Sequence, residues 1–131
     1  MTDLGGDVVL SLPPRSSHLR IARLTASSFA ADLGFGLDDT EDLRVAVTEL
    51  CSALLHDERS HDGDGPRIEL HYRVDGDRVV IEGRRPGMSG APPELDPIAR
   101  ELLAVTTDAH SLEAQDDDWT FIVRKGASDP A

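Results

Sequence analysis

The strongest constraint on the fold is a run of alternating apolar and polar residues, followed by a glycine-containing turn and a second β-prone run. The segment RIELHYRV, residues 67–74, alternates as a half-buried strand does. RVVIEG, residues 78–83, follows after the turn Asp75-Gly76-Asp77. The pattern predicts a β-hairpin, whose buried face must be covered by other parts of the chain.

Three further segments are predicted to be strands of the same sheet. VVLSLP, residues 8–13, is a short apolar run that ends at two prolines. HSLEA, residues 110–114, and DWTFIVRK, residues 118–125, indicate a second hairpin around the polar turn QDDD. We expect the last residues, 126–131, to be a frayed tail.

The first of three predicted helices has apolar residues on two sides. It begins at a serine cap, Ser16 or Ser17, and its inward stripe repeats at spacings of three and four. That stripe consists of Leu19, Ala22, Ala26, Phe29, Ala30 and Leu33. The first-helix patch, outside this stripe, consists of Arg20, Ile21, Arg23 and Leu24. One stripe is enough to bury a helix, so the second apolar spot indicates a partner or a second layer.

The other two helices are predicted from their caps and their periodicity. The second begins in DDTED, residues 38–42, where acids favour the helix dipole, and it ends at about His56. Its core stripe consists of Leu43, Ala46, Val47, Leu50 and Leu54. The third opens at Asp96-Pro97, a cap and a first-turn proline, after an aperiodic loop at residues 84–94. Its predicted core stripe consists of Ile98, Leu102 and Val105.

The predicted order of elements is β-α-α-β-β-loop-α-β-β. The chain has 131 residues, which suits one domain with one core, and we place that domain at residues 1–125. The simplest arrangement is an α+β two-layer sandwich. In it, a mixed, mostly antiparallel sheet of about five strands carries the helices on one face.

Charge limits the classes of partner. The net charge is −12 and the isoelectric point is about 4.6. Such a surface repels phosphate backbones and anionic lipids, so we expect neither direct nucleic-acid binding nor membrane binding, while a basic protein partner is tolerated. No signal peptide or membrane-spanning run is visible, which predicts a cytoplasmic protein. The only cysteine, Cys51, lies in an apolar helical setting and is predicted to be a buried, unreactive thiol.

One side of the second helix carries several side chains of types that occur in catalytic sites. In TELCSALLH, residues 48–56, that side carries Glu49, Ser52, Ala53 and His56. It is either a working site or a degenerate one, and the ordinary alternative is a solvated helix face. The cluster of acids and histidines at residues 56–64 matches neither a zinc signature nor a complete calcium loop, so we predict no metal site.

Several segments, in this order, resemble one known family. They are IARLTASSFAADLG in the first helix, LRVAVTEL in the second, Asp108 after LLAVTT, and the closing strand FIVRK. Together they resemble the histidine-kinase-like ATPase fold, and more narrowly the bacterial anti-sigma factors that are also serine kinases, the switch kinases of sporulation and general stress response. The resemblance covers residues 8–125.

The family's ATP site implies roles for particular positions. Glu49 matches the general base of the asparagine box, but Ala53 stands where the magnesium-binding asparagine should be, and alanine has no oxygen to offer. In the adenine-binding Asp-x-Gly-x-Gly turn, the aspartate is replaced by Gly83 and the middle glycine by Arg85, so only Gly87 remains. Arg85 and its neighbour Arg84 either replace nucleotide contacts by bonding protein carboxylates or are loop side chains, and we expect the second.

Two further elements of the implied site are also changed. Pro97 and Ala99 stand where a Gly-x-Gly would offer backbone amides to the triphosphate, and proline has no amide hydrogen. Asp118 and Trp119 replace a Gly-Thr pair, so an acid would repel nucleotide and an indole would fill part of the cavity.

The resemblance implies an anti-sigma factor that sequesters a sigma factor as a dimer and is displaced by an antagonist protein. The degenerate motifs argue against kinase activity, so no cofactor is expected. The first alternative is an active serine kinase that phosphorylates the antagonist, with Glu49 as base and with ATP and magnesium as cofactors. The second is a sensor domain with a remodelled cavity. The first-helix patch is the expected partner-binding surface, with Arg23 as its central contact.

Overall fold

The computed structural model describes residues 8–55 and 67–128, and within them it contains five strands and three helices. The strands are β1 (Val8–Leu12), β2 (Ile68–Asp75), β3 (Arg78–Pro86), β4 (Ala109–Gln115) and β5 (Asp118–Gly126). The helices are α1 (Leu19–Asp32), α2 (Leu37–Leu54) and α3 (Pro97–Thr106), and a short 3-10 turn, Ser16–His18, precedes α1. The predicted order of elements is confirmed.

The strands form one sheet in the order β1-β2-β3-β5-β4. The sequence predicts a mixed, mostly antiparallel sheet, and all four strand pairings in the described residues are antiparallel. The reason is that the chain crosses over through α3 to the edge strand β4, and β5 then turns back to lie beside β3. The α+β class and the five-stranded sheet are confirmed.

The helices cover one face of the sheet, and the contacts of one tyrosine show how. Tyr72 on β2 is fully buried, and its hydroxyl donates a hydrogen bond of 2.9 Å to the carbonyl oxygen of Ala22 on α1. Its ring stacks on Phe29, with the ring centroids 5.6 Å apart. Burial also raises the pKa of the Tyr72 hydroxyl, so this group stays protonated and keeps the hydrogen bond.

The predicted core stripes of α1 and α2 are confirmed, apart from Leu33, which is only half-buried. The buried members are Leu19, Ala22, Ala26, Phe29 and Ala30 on α1, and Leu43, Ala46, Val47, Leu50 and Leu54 on α2. The predicted serine cap is wrong. Ser16 and Ser17 lie inside the 3-10 turn, and neither Arg15 nor His18, the residues at the N-terminal boundaries of the turn and of α1, makes a side-chain cap bond.

The third helix is oriented differently from the prediction. Ile98, Leu102 and Val105 were expected in the core, but their side chains are 73%, 37% and 76% exposed. The buried face consists instead of the residues Ala99, Leu103 and Thr106. Apolar residues occupy most of the circumference of α3, so the periodicity fits two stripes, and the stripe with the smaller residues is the one packed inward.

Strand β3 is longer than predicted and includes Arg84, Arg85 and Pro86. These residues were assigned to a loop because of the glycines and prolines that follow. They pair in register with β5, for example Arg85 with Trp119. The alternation of a strand therefore sends the Arg84 side chain to the open face and buries Arg85 on the helix side.

The segment expected to be a frayed tail is held at its start. Gly126 is the last residue of β5, and the backbone amide of Ser128 donates a hydrogen bond of 2.7 Å to Asp39. In the described part of the chain, no helix is long and apolar enough to cross a membrane. The acid and histidine cluster at residues 56–64, including His56, lies outside the described residues.

Candidate functional site

Glu49, the expected general base, lies half-buried on α2 and lines a groove of about 190 Å³ between α1 and α2. The same groove is lined by Arg23 of the first-helix patch, by Arg44 and by Thr48. A guanidinium nitrogen of Arg23 donates a 3.4 Å hydrogen bond to the Thr48 hydroxyl. The structure therefore brings the expected base close to the expected partner contact. Gly87 is not among the residues that line this groove.

Gly83, which the resemblance aligns with an adenine-binding aspartate, is closed off by an aromatic ring. Gly83 lies on the helix-facing side of β3, opposite Phe121 on β5. A Cβ atom at Gly83 would overlap the Phe121 ring, with Cζ at 2.6 Å and Cδ2 at 2.8 Å. Phe121 is itself 2% exposed and belongs to the core. Glycine is therefore the residue that this contact permits, and any side chain would have to displace a buried ring.

Arg85, at the family's middle glycine, occupies the space between the end of β3 and α2. It is 3% exposed and donates a hydrogen bond of 2.8 Å to the carbonyl oxygen of Leu54, the last residue of α2. A cation at the C-terminus of a helix is favourable because carbonyl groups there lack intrahelical partners. Sequence analysis missed this role, because a buried arginine leaves no signal in a hydrophobic pattern.

The side chain of Trp119, which follows Asp118 on β5, lies on the same helix-covered side of the sheet as Arg85. Its side chain is buried, and its indole nitrogen donates a hydrogen bond of 3.1 Å to the carbonyl oxygen of Gly90. The backbone amide of Met88 donates a 2.9 Å hydrogen bond to the carbonyl oxygen of Asp117. These bonds hold the loop after β3 against the start of β5.

Asp118 points away from this region instead of toward it. Its carboxylate accepts a hydrogen bond of 2.8 Å from Arg84 on the open face of the sheet. Arg84 also pairs with Glu69 at 3.2 Å, and the hydrogen bonds from Arg84 to Asp118 and Glu69 raise the pKa of its guanidinium. The expectation of an acid aimed at a nucleotide is therefore wrong, because side chains alternate along β5 and Asp118 faces opposite to Trp119.

The start of α3 has its own internal partner. The Asp96 carboxylate accepts a hydrogen bond of 2.8 Å from the backbone amide of Ala99, and Pro97 has no amide hydrogen. The predicted cap is confirmed. The amide of Ala99, which the resemblance aligns with a phosphate contact, is thus bonded inside this helix.

The first-helix patch has the orientation predicted for it. Ile21 is 41% exposed and Leu24 is 57% exposed, on the side of α1 away from the sheet. Arg20 is exposed beside them, and Arg23 is half-buried at the groove already described. Two aliphatic side chains next to two cations therefore face solvent on one helix.

Two other titratable groups have structural roles. Cys51 is fully buried, as predicted, and burial raises the pKa of its thiol to about 12, which makes it unreactive.

Asp39 at the start of α2 accepts hydrogen bonds from the Ser128 hydroxyl at 2.6 Å and from Lys125 at 3.2 Å. The bonds from Ser128, with help from Lys125, lower the pKa of the Asp39 carboxyl. The sequence separation of this network, 86 residues for the ion pair, hides it from local patterns.

The implied ATP and magnesium contacts do not fit the residues in place. Gly83 cannot carry a carboxylate without moving Phe121, Arg85 fills the space of a glycine, and Ala53 has no metal ligand atom. We therefore derive no reaction step through a nucleotide at this site.

The fold is of a known class, the two-layer α+β domain of the histidine-kinase-like ATPase type. No family model matches the sequence. The serine-protein kinase RsbW of Bacillus pumilus is 31% identical over 75 residues, which is 56% of this chain and 46% of that protein. An RsbW of Bacillus licheniformis is 28% identical over 97 residues, covering 66% of this chain and 61% of that protein. The chain spans about half the length of the curated relatives it matches first.

Solved structures agree with the fold. The crystal structure of the RsbU and RsbW domains of Rv1364c from Mycobacterium tuberculosis aligns with a TM-score of 0.72 and 16% identity, over 96% of this chain and 34% of that one. The structure of the SiaB-SiaC complex from Pseudomonas aeruginosa aligns with a TM-score of 0.58 and 12% identity, over 90% and 88% of the two chains. The resemblance stated from the sequence is confirmed in so far as the chain is similar in sequence to proteins named serine-protein kinase RsbW and similar in fold to the solved RsbW domain.

Proposed function

We propose that this protein is an RsbW-type anti-sigma factor that sequesters a sigma factor by protein binding, is countered by an antagonist protein, and does not transfer phosphate. The observation that carries the proposal is the first-helix patch. Ile21 and Leu24 are exposed on a well-packed helix, beside Arg20 and Arg23. Aliphatic anchors next to arginines are typical of the energetic centres of protein interfaces.

Charge supports this choice of surface. The chain carries a net charge of −12, but residues 15–31 contain three arginines and no acid. The patch is therefore a local cationic region on an anionic molecule, and it would attract an acidic partner surface and orient it. Following the family, we propose that the protein acts as a homodimer.

The absence of phosphotransfer is proposed from the closed positions around the implied ATP site. Phe121 lies against Gly83, Arg85 is bonded to the end of α2, and the amide of Ala99 is bonded to Asp96. Glu49 alone favours the alternative, a serine kinase acting on the antagonist. A general base without a metal and an oriented triphosphate has nothing to activate.

The test is a binding titration against each purified sigma factor of the source organism and against candidate antagonists. We expect Arg23→Ala, and Ile21→Ala combined with Leu24→Ala, to weaken the binding of one partner at least tenfold. Leu37→Ala is the matched control, because Leu37 is an exposed aliphatic residue outside the patch. Thermal melts should stay close to that of the wild type, since the patch lies opposite the core stripe. Unchanged affinity in both patch variants would refute the proposed surface.

A further inference from the structure

An apolar stripe on α3 faces solvent while the smaller residues of the same helix face inward. Ile98, Leu102 and Val105 are spaced four and three residues apart, and they line a groove of about 380 Å³ together with Pro97 and Glu101. We name this surface the α3 stripe. Ile98 and Val105 are 73% and 76% exposed.

The α3 stripe is held in a fixed orientation. The helix begins at the Asp96 cap, and Leu103 on the opposite side is fully buried. The Thr106 hydroxyl donates a hydrogen bond of 2.6 Å back to the carbonyl oxygen of Leu102. Since the buried side packs into the domain, the helix cannot bury its larger residues by rotating without exposing Leu103. A partner would remove the stripe from water.

Charge around the stripe indicates the chemistry of that partner. Residues 94–108 contain four acids and one base, Arg100. Glu101 lines the groove itself, and Glu94 is exposed before the helix. Within the described residues, neither of these two acids forms an ion pair. The stripe therefore has one unpaired acid, Glu101, in its groove and a second, Glu94, exposed shortly before its helix, the reverse of the charge on the first-helix patch.

We propose that the α3 stripe docks a basic amphipathic helix of a partner protein, separately from the partner of the first-helix patch. Aliphatic side chains at positions i, i+4 and i+7 form a ridge of about two turns, which fits between the side chains of a second helix. Lysines or arginines beside the apolar face of that helix would meet Glu94 and Glu101. The inference does not depend on the proposed function, because the two surfaces lie on different helices with opposite charge.

The test uses a fluorescein-labelled, helix-forming peptide of leucine and lysine with leucines three and four residues apart. Its binding to the purified protein is followed by fluorescence anisotropy. We expect saturable binding that weakens at least tenfold in Ile98→Ser combined with Val105→Ser, and that is unchanged in Leu37→Ser. The double variant keeps the net charge, so general attraction of a cationic peptide to an acidic protein would survive in it. Equal binding to the double variant would overturn the proposal.

Two further arms exclude other readings. A peptide with glutamate in place of lysine should bind at least tenfold more weakly, and equal binding would overturn the charge argument. Sedimentation of the wild type and of the double variant should give the same mass. A dimer that is lost in the double variant would show that a second copy covers the stripe, which also overturns the proposal. A strongly lowered melting temperature of the double variant would do the same, by showing that the residues are buried in the monomer.

Discussion

The contact between Gly83 and Phe121 predicts that even the smallest side chain at position 83 destabilises the fold. In an ordinary strand, replacing glycine by alanine is favourable, because alanine restricts the unfolded chain and prefers regular structure. At Gly83 the new methyl group would lie 2.6 Å from Cζ of Phe121, inside van der Waals contact. The ring is 2% exposed and its neighbours are core residues, so it can move only by shifting them.

Overpacking a core by one methyl group typically costs about 1–3 kcal/mol. For a chain of this size, each kcal/mol lowers the melting temperature by roughly 3–5 °C. We therefore expect Gly83→Ala to lower the melting temperature by several degrees, measured by circular dichroism. Gly126→Ala is the matched control, because it lies at the end of β5 and its nearest atom, Cγ of Arg78, belongs to an exposed side chain that can yield.

The assignment to Phe121 is tested by a double-mutant cycle. Phe121→Leu has its own cost, but combined with Gly83→Ala it should relieve the overlap. The double variant should then be more stable than the sum of the single effects predicts, by at least about 0.5 kcal/mol. A neutral or stabilising Gly83→Ala, or strict additivity, would refute the claim that the ring closes this position.

Three other predictions concern charged groups. Arg85→Ala should lower the free energy of unfolding in urea by about 1–3 kcal/mol, because it leaves a buried carbonyl at the end of α2 unsatisfied. Arg84→Ala removes only exposed ion pairs and should cost about 1 kcal/mol or less. The pKa of the Asp39 carboxyl is lowered in the folded protein, so its contribution to the free energy of unfolding should be complete above about pH 4. That contribution should be lost as the pH falls through the pKa of the folded state. Asp39→Asn should therefore make the free energy of unfolding depend less on pH in the acid range. Glu49→Ala should leave both the melting temperature and partner affinity nearly unchanged, and a loss of affinity in a titration at constant stability would show that this face of α2 is part of an interface.

The parts of the fold that sequence patterns predict correctly are those with a single interpretation. The structure confirms the hairpin around Gly76 and the inward stripes of α1 and α2. On α1 the inward stripe has six predicted members and the second apolar spot has only Ile21 and Leu24, so the choice of the buried side was clear. The first-helix patch was predicted to be exposed for the same reason. On α3, apolar residues lie on most sides, so periodicity alone could not choose the buried stripe, and Ile98 and Val105 were placed wrongly in the core.

The features that could not be predicted depend on distant pairs. Arg85 is buried because it meets the end of α2, and nothing in the segment RRPGM indicates that contact. The ion pair between Lys125 and Asp39 joins residues 86 positions apart. The closure of Gly83 by Phe121 depends on the register of β3 against β5. The family resemblance located the implied ATP site but could not show which side chains fill it.

The most direct test of the account is a titration of the purified protein with ATP and magnesium, followed by calorimetry and by thermal melting. The account predicts no saturable heat and no change in melting temperature at millimolar ATP. Its reason is that the residues which the resemblance aligns with the adenine and triphosphate contacts are engaged inside the protein, and Ala53 offers magnesium no ligand. A nucleotide present at a hundred times its Kd would instead stabilise the fold by about 2.7 kcal/mol. One-to-one binding with a shift of several degrees would contradict the account, and phosphotransfer to an antagonist that is abolished by Glu49→Ala would favour an active kinase.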